Sequence, residues 1–343
     1  MKRVKVAGVS PLAVYGEDEW ENAFRAVDYV DEAAAEGAHL VCFPEGFPGP
    51  CSGPMDSGGK LDSTPIEMLC EKAKEHGVFI SAGNLEESKE VEGAFYLCNK
   101  LISPNGDILA NYRRCQPTHP ILNGYFYGGR MHILPGDELM VADTDLGKIG
   151  LLICSELWVP ELSRIEMLEG AEIILAPIGG IHSKTAMLRY DREGNIAGNG
   201  HEMSTWHCIA RARAAENLVY VVTTTNVFFK TSPRGSFVAG PENTLGSSLG
   251  AGIAFCTLDM ERLWYLRSKY FEEEDLVPPK DLRTHQPLLC RPGQNHDRIP
   301  ALYKKLIEPQ PDAFDYFYFK RGLEAWKQEY EKVKKLSPWR QED

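Results

Sequence analysis

Short apolar runs alternate with amphipathic segments along the first part of the chain. Residues 4–9, 39–46 and 78–83 are apolar runs of strand length, whereas residues 20–37 and 64–77 repeat apolar side chains at helical spacing. A helix between two strands carries the chain back across a sheet, so that strands joined in this way run parallel. This alternation predicts a sheet whose faces are covered by helices.

Two longer segments have the pattern of hairpins instead. Residues 95–114 form two strand-like runs around a Pro-Asn-Gly turn, and residues 138–156 form a second pair around Asp-Leu-Gly-Lys. The alternation then resumes with helices at 160–170 and 201–218 and strands at 171–180 and 219–226. Because hairpins occur in both halves of this pattern, we expect two stacked mixed sheets.

Composition and charge exclude several classes of protein. The chain has 343 residues, of which 43% are hydrophobic, and a formal net charge of −12 at pH 7. This composition is typical of a globular protein, and the negative charge disfavours nucleic acid and anionic membranes as partners. Acidic residues at 17–19 interrupt the N-terminal apolar run, so neither a signal peptide nor a membrane span is expected.

The nine cysteines are scattered singly along the sequence. None forms a C-x-x-C pair and their number is odd, which disfavours both a disulfide framework and a cysteine-rich zinc site. His201 and His207 are six residues apart on one predicted helix and therefore do not face together as metal ligands would. We expect reduced thiols, a cytoplasmic location, and neither a metal nor an organic cofactor.

Glu45 lies in the sequence FPEG, directly after an apolar run. The carboxyl ends of strands are where open α/β sheets place their sites. A carboxylate at such an end, partly desolvated by Phe43 and Phe47, is suited to act as a general base. The alternative is an ordinary solvated acid in a loop.

Cys154 ends a second apolar run, in LLICSELW. A helix is predicted to begin near residue 160, and its positive N-terminal dipole would favour a thiolate. A nucleophilic cysteine is one interpretation. A small apolar side chain that completes a buried strand is the other, and periodicity alone favours it.

Arg113, Arg114 and Cys115 follow one another at the end of the first hairpin. The two arginines could lower the pKa of the Cys115 thiol, or stabilise an anion that forms on a substrate. A structural salt bridge is the more common use of an arginine. The prolines at 117 and 120 predict an irregular loop after this strand.

The order of these motifs resembles the nitrilase, or carbon–nitrogen hydrolase, superfamily. Glu45 in FPEG is followed by YRR at 112–114 and by Cys154 in GLLICSELWVPE at 150–161. The segment W-x-x-x-x-RARAAEN-x-x-Y-V-V at 206–222 is similar to the helix and strand that follow the nucleophile in that family. The resemblance covers roughly residues 4–270, most of the chain.

The resemblance implies a four-layer α-β-β-α sandwich that acts without metal or cofactor. We expect this domain at 1–275 and a C-terminal extension at 276–343, including a helix near 321–335, that stabilises a homodimer or higher homo-oligomer. The family cleaves small amides, carbamoyl compounds or nitriles through a cysteine, a glutamate base and a lysine. By this resemblance, Cys154 is the nucleophile and Glu45 is the base.

Two of the expected site groups differ from the family pattern. Arg114 stands where the family has its lysine, and no lysine lies between Lys100 and Lys148. The family's second glutamate is also missing, and Asn123 lies near its place. An arginine can stabilise an oxyanion but cannot donate a proton as a lysine can.

Four further residues are predicted to contact a small-molecule substrate. They are Asn123, Tyr125, Ser155 and Glu156, and the backbone N–H of Ser155 is the expected second oxyanion donor. The aromatic residues at 125–127 either line the mouth of the pocket or cover the edge of the core.

Two functions remain open at this point. The first is a cysteine-dependent hydrolase of a small amide or carbamoyl compound, with nitriles ranked lower, in which Arg114 provides the electrostatic stabilisation. The second is a nitrilase-like binding or scaffold protein that has lost its activity.

Overall fold

The computed structural model describes residues 1–14, 18–50, 59–91, 94–117, 132–179, 188–190, 196–199, 203–227, 235–268 and 298–308. The predicted substrate contacts Asn123 and Tyr125 lie outside these ranges, as does the helix predicted near 321–335. Of the predicted C-terminal extension, only residues 298–308 are described, so the domain boundary at 275 stays a prediction.

The strands and helices predicted from the sequence occur in the predicted order, and further strands lie between and after them. The strands are β1 (Arg3–Ser10), β2 (Leu40–Cys42), β3 (Phe79–Glu87), β4 (Ala94–Ile102), β5 (Ile108–Arg113), β6 (His132–Leu134), β7 (Met140–Thr144), β8 (Gly147–Leu151), β9 (Ile173–Leu175), β10 (Leu188–Tyr190), β11 (Ile196–Asn199), β12 (Tyr220–Thr223), β13 (Phe237–Ala239), β14 (Thr244–Ser247) and β15 (Gly252–Asp259). The α-helices are α1 (Glu21–Ala35), α2 (Pro65–His76), α3 (Pro160–Leu168), α4 (Met203–Asn217), α5 (Met260–Ser268) and α6 (Lys304–Ile307).

The ends of α2 illustrate how local chemistry sets these bounds. Thr64 is the N-cap: its hydroxyl accepts a hydrogen bond from the Glu67 N–H, and the Glu67 carboxylate accepts one from the Thr64 N–H. Pro65 occupies the first helical position, where no N–H is needed. Gly77 ends the helix in the left-handed conformation, with φ of 67°.

Thirteen of the fifteen strands form two mixed sheets, and β10 and β11 pair with each other. Sheet one has the order β15-β1-β2-β3-β4-β5, with β6 beside β4, and sheet two has the order β14-β13-β12-β9-β8-β7. In sheet one, β1, β2 and β3 are parallel, and the β4–β5 hairpin returns β5 to the same direction. In sheet two, β8, β9 and β12 are parallel. Both sheets therefore present carboxyl ends of parallel strands.

Alternation along each strand separates the interior into three apolar layers. One layer lies between the two sheets and includes Val6, Leu40, Ile173 and Val222. A second lies between sheet one and helices α1 and α2. A third lies between sheet two and helices α3 and α4. Three layers between four tiers of secondary structure make an α-β-β-α sandwich, which confirms the predicted fold class.

The C-terminal part of the sheets was not predicted from the sequence. Strand β15 pairs with β1 along its whole length, from Arg3 opposite Asp259 to Ser10 opposite Gly252. Short strands such as β13 and β14 show no clear period, because their three and four residues are at or below the roughly four that an alternation needs. The β10–β11 hairpin and β6 were missed for the same reason.

Some apolar side chains of the outer helical layer remain exposed. Ile165 and Leu168, three residues apart on α3, are exposed, and so is Trp158, which precedes α3. The homo-oligomer predicted from the sequence stays a prediction, which a molar mass from light scattering would test. Among the described residues, no helix has both the length and the apolar composition needed to cross a bilayer.

Glu166 is a buried acid on α3 that faces sheet two. Its side chain is fully buried, and neither oxygen makes a hydrogen bond of ordinary geometry to a described residue. Gly150 makes room for it, because a Cβ there would lie 2.5 Å from Glu166 Oε2. Burial and the nearby Glu156 carboxylate raise the pKa of Glu166 well above its ordinary value, so this side chain is neutral in the folded protein.

Replacing Glu166 with Met removes this acid and keeps a similar volume. Because an unpartnered buried polar group costs about 1–3 kcal/mol, we expect Glu166→Met to raise the free energy of unfolding by at least about 1 kcal/mol at pH 7. The folded wild type holds a proton that its unfolded chain releases. The buried acid therefore destabilises the fold least below the unfolded pKa, about 4.3, and its cost grows as the pH rises toward the folded pKa.

Urea unfolding at pH 5, 7 and 9 measures both effects. Wild type should lose stability relative to Glu166→Met as the pH rises. Glu71, an exposed acid within α2, provides the control: Glu71→Met should change stability by less than about 0.5 kcal/mol. Equal pH dependence in wild type and Glu166→Met would show that Glu166 is not a buried neutral acid.

Candidate active site

Three strands deliver the predicted catalytic residues to one end of the sandwich. Glu45 follows β2 and Arg114 follows β5, both at the carboxyl edge of sheet one. Cys154 follows β8, at the carboxyl edge of sheet two. The predicted base, cation and nucleophile therefore come together from different sheets, in agreement with the placement of sites at carboxyl ends of strands.

Glu45 and Arg114 form a buried ion pair. The Arg114 Nη1 donates to Glu45 Oε1 at 2.9 Å, and the two side chains are 3% and 8% exposed. Arg114 Nε also donates to the Gln116 carbonyl at 3.1 Å, which holds the plane of the guanidinium. Because a buried charge without a partner is strongly destabilising, the pair fixes the position of both side chains.

Cys154 sits in a strained turn between strand and helix. Its φ of 54° lies in the left-handed region, which a residue with a Cβ rarely adopts. The Cys154 N–H donates to the Pro177 carbonyl at 2.7 Å, and a 3₁₀ helix, Cys154–Trp158, begins at this residue. The turn places the thiol at the start of the helix instead of inside the sheet, where the apolar interpretation would have put it.

The surroundings of the Cys154 thiol keep it protonated at neutral pH. Burial and the Glu45 carboxylate raise the pKa of Cys154 to about 12, against the opposing effects of Arg114 and of the Gly179 N–H. Glu45 is also within hydrogen-bonding reach of the thiol. The resting group is therefore a thiol, and an attack by Cys154 requires its proton to move to a base, for which Glu45 is in place.

Ser155 links the guanidinium to the nucleophile turn. Arg114 Nη2 donates to Ser155 Oγ at 2.5 Å. Ser155 lies in the first turn of the 3₁₀ helix, where backbone N–H groups have no acceptor within the helix. Its N–H and the Arg114 guanidinium are the two donors that could meet an oxyanion formed next to Cys154.

Asn226 and Gly179 complete the site and were missed by the sequence analysis. Asn226 Nδ2 donates to the Glu45 carbonyl at 2.9 Å and to the Gly179 carbonyl at 3.0 Å, so it joins the two sheets behind the base. Gly179 has to be glycine, because a Cβ there would lie 2.8 Å from Glu45 Oε2. The polar end of TTTN and the Gly-Gly pair after β9 are the sequence signals that mark them.

Glu156 differs from its predicted role as a substrate contact. Its side chain is fully buried, and its carboxylate accepts hydrogen bonds from Tyr112 Oη, the Gln116 N–H and the Ile153 N–H, each at 2.8 Å. The 3₁₀ turn rotates it away from Ser155 and into the protein. With three internal donors around it, this carboxylate is not directed at a substrate.

Arg113 and Cys115, the neighbours of Arg114, make structural contacts. Consecutive side chains of a strand point to opposite faces, and Arg113 pairs with Glu86 on the outer one. The Cys115 thiol donates to the Glu138 carbonyl at 3.3 Å, and burial raises its pKa above the ordinary value. The structural interpretation of Cys115 and the salt-bridge interpretation of Arg113 agree with these contacts.

The described residues contain one group of side chains close enough to share a metal ion. It consists of Asp31, Glu75 and His76 on the helices that cover sheet one. Lys72 and His76 already hydrogen-bond to Asp31, at 2.8 Å and 2.6 Å. These contacts are those of a surface ion-pair network, and the group lies apart from the three site residues in the fold.

The protein has two stacked mixed sheets between helical layers, and a cysteine, a carboxylate and a guanidinium lie at the shared edge of the sheets. This combination defines a protein of the nitrilase fold class. The carbon-nitrogen hydrolase family model matches residues 3–259. The chain belongs to this family. The predicted family and the prediction of a carbon–nitrogen hydrolase enzyme are confirmed.

Relatives and a solved structure give the same assignment. Nitrilase homolog 2 of Dictyostelium discoideum is 26% identical over 307 residues, which cover 89% of this chain and 85% of the relative. Omega-amidase NIT2 of Homo sapiens is 26% identical over 261 residues, 73% of this chain and 87% of the relative. A crystal structure of a carbon-nitrogen hydrolase from Helicobacter pylori has a TM-score of 0.66 at 19% identity, covers 90% of this chain and 99% of its own, and supports the fold.

Replacing Glu45 with Gln tests the arrangement around the thiol. The Glu45 carboxylate raises the pKa of Cys154, so its removal lowers that pKa and increases the thiolate fraction. We expect Glu45→Gln to react with iodoacetamide at pH 9 at least about threefold faster than wild type, measured by mass spectrometry of the peptide that carries Cys154. The exposed Cys208 is an internal reference in the same digest.

Glu86 supplies the matched control, because it is a half-buried acid that also pairs with an arginine but lies outside the site. Glu86→Gln should leave the alkylation rate of Cys154 unchanged. An unchanged rate in Glu45→Gln would show that Glu45 does not act on the thiol, whereas a slower rate would show that its action as a base outweighs the effect of its charge on the thiol pKa.

Proposed function

We propose that this protein hydrolyses the amide C–N bond of a small molecule through an acyl-enzyme on Cys154. The observation that carries the proposal is the convergence of Glu45, Arg114 and the Cys154 turn within hydrogen-bonding distance, at one edge of two sheets. The omega-amidase among the relatives supports an amide, and more narrowly a terminal amide, as the substrate.

The first half of the reaction forms a thioester. Cys154 Sγ attacks the carbonyl carbon while its proton moves to the Glu45 carboxylate. The carbonyl oxygen becomes an oxyanion, which Arg114 and the Ser155 N–H stabilise. When the tetrahedral intermediate collapses, the C–N bond breaks, Glu45 returns the proton to the leaving nitrogen, and ammonia or an amine departs.

The second half hydrolyses the thioester. Glu45, again a carboxylate, takes a proton from water as the water oxygen attacks the acyl carbon. The same two donors stabilise the second oxyanion. The C–S bond then breaks, the sulfur regains a proton from Glu45, and the carboxylic acid leaves. Glu45 therefore acts alternately as base and acid, and no proton is taken from Arg114.

Arg114 brings a property that a lysine in its place would lack. Its guanidinium stays protonated throughout the working pH range and presents several donors in one plane. One nitrogen binds Glu45 and another binds Ser155, so the base and the residue after the nucleophile are held by a single rigid group. A lysine ammonium is more compact and would hold these two partners in a different geometry.

Ammonia release from a panel of terminal amides, simple aliphatic amides, carbamoyl compounds and nitriles tests the proposal. We expect amides to be hydrolysed and Cys154→Ala to abolish the activity. Arg114→Met should lower kcat/KM by about 10²–10³, the usual cost of an oxyanion donor. Arg114→Lys should fall between wild type and Arg114→Met, because the charge remains and the planar contacts are lost.

Arg113→Met is the matched control, since Arg113 adjoins Arg114 in sequence but pairs with Glu86 outside the site. It should keep kcat/KM within about threefold of wild type. Ammonia release that survives Cys154→Ala would contradict the mechanism. A wild type that hydrolyses no member of the panel would favour the binding or scaffold protein.

A further inference from the structure

We infer that Glu156 is a positioning residue that holds the segment around Arg114 against the turn that carries Cys154. Its effect on turnover rests on the proposed function, whereas its effect on the Cys154 thiol does not.

The two carboxylate oxygens of Glu156 bind two different parts of the site. Oε1 accepts from Tyr112 Oη and from the Gln116 N–H, which lie two residues before and two residues after Arg114. Oε2 accepts from the N–H of Ile153, the residue before Cys154. One fully buried side chain therefore connects the arginine segment of sheet one with the nucleophile turn of sheet two.

The connection continues from Glu156 to the guanidinium through the backbone of one residue, Gln116. The Gln116 N–H donates to Glu156 Oε1 at 2.8 Å, and the Gln116 carbonyl accepts from Arg114 Nε at 3.1 Å. A shift of Glu156 would move this residue and rotate the guanidinium that its carbonyl orients. The Tyr112 hydroxyl strengthens the same unit, because it also accepts from the Cys115 N–H at 3.4 Å.

The distribution of acidic residues along the sequence also favours a carboxylate at position 156. The sequence contains no acidic residue between Asp107 and Asp137, so the segment after Arg114 carries no carboxylate of its own near the site. Glu45 approaches the guanidinium directly, and Glu156 is close enough that Arg114 lowers its pKa against the effect of burial. The arginine thus lies between carboxylates that come from the ends of β2 and β8.

Glu156→Gln separates positioning from packing, because it keeps the shape and removes one acceptor. The glutamine amide has a single acceptor oxygen. It can therefore accept from Tyr112 Oη and the Gln116 N–H, or from the Ile153 N–H, but not from all three donors. We expect the site to loosen by a fraction of an ångström and kcat to fall by about 10- to 100-fold while KM changes by less than about threefold. The Arg114 guanidinium would also move away from the Cys154 thiol, whose pKa its charge lowers. The thiol pKa would then rise and the thiolate fraction would fall, so alkylation of Cys154 at pH 9 should slow by at least about threefold.

A variant that only weakens the core provides the control. Val30 lies in the apolar layer on the far side of sheet one, and Val30→Ala should cost stability without changing kcat or the alkylation rate of Cys154. If Glu156→Gln lost stability like Val30→Ala and kept both rates within about twofold of wild type, Glu156 would be a framework residue and the inference would be wrong. If wild type has no amidase activity, the alkylation rate still decides the question.

Tyr112→Phe is the variant to measure if Glu156→Gln does not fold. It removes the hydrogen bond from the Tyr112 hydroxyl to Oε1 and the bond that this hydroxyl accepts from the Cys115 N–H, and it leaves the Gln116 and Ile153 bonds in place. We expect alkylation of Cys154 to slow by about two- to fivefold, the effect of losing about 1 kcal/mol of hydrogen bonding from the unit. An unchanged rate would overturn the inference.

Discussion

The ion pair between Glu45 and Arg114 is the interaction on which the rest of the site depends. Removing two charges from water costs several kcal/mol for each ion, and only a close, well-directed partner returns that energy. The pair meets this condition at 2.9 Å with both side chains almost fully buried. The ends of β2 and β5 must therefore keep their relative positions, which fixes the base and the cation before any substrate binds.

The remaining groups attach the nucleophile to this pair. Ser155 accepts from the guanidinium, Asn226 joins the Glu45 and Gly179 carbonyls, and Glu156 joins the Arg114 segment to the residue before Cys154. Each of these three residues makes at least one contact between sheet one and sheet two. The layer of apolar side chains between the sheets sets their separation, and the polar contacts at the edge set the geometry needed for chemistry.

Much of this arrangement follows from the sequence, because strand and helix periods are local properties. The positions of Glu45 and Cys154 at strand ends could be predicted for that reason, and the resemblance to a known family gave Arg114 its role. Asn226 and Gly179 could not be found in this way, since their importance lies in contacts between distant strands. Glu156 was assigned to the substrate because it is near Cys154 in sequence, but a single 3₁₀ turn directs it inward. The short strands after residue 227 were missed because three or four residues do not establish a period.

The proposed reaction depends on a guanidinium next to Cys154 that supports acyl transfer to that cysteine. The most direct test is the intact mass of the enzyme, quenched with acid within one turnover on a slowly hydrolysed amide, followed by peptide mapping. We expect a mass increase equal to the acyl group, located on the peptide that carries Cys154 and formed at least about 100-fold more slowly in Arg114→Met. Ammonia release without an adduct on that peptide, or equal rates of acylation with and without Arg114, would contradict the proposed reaction.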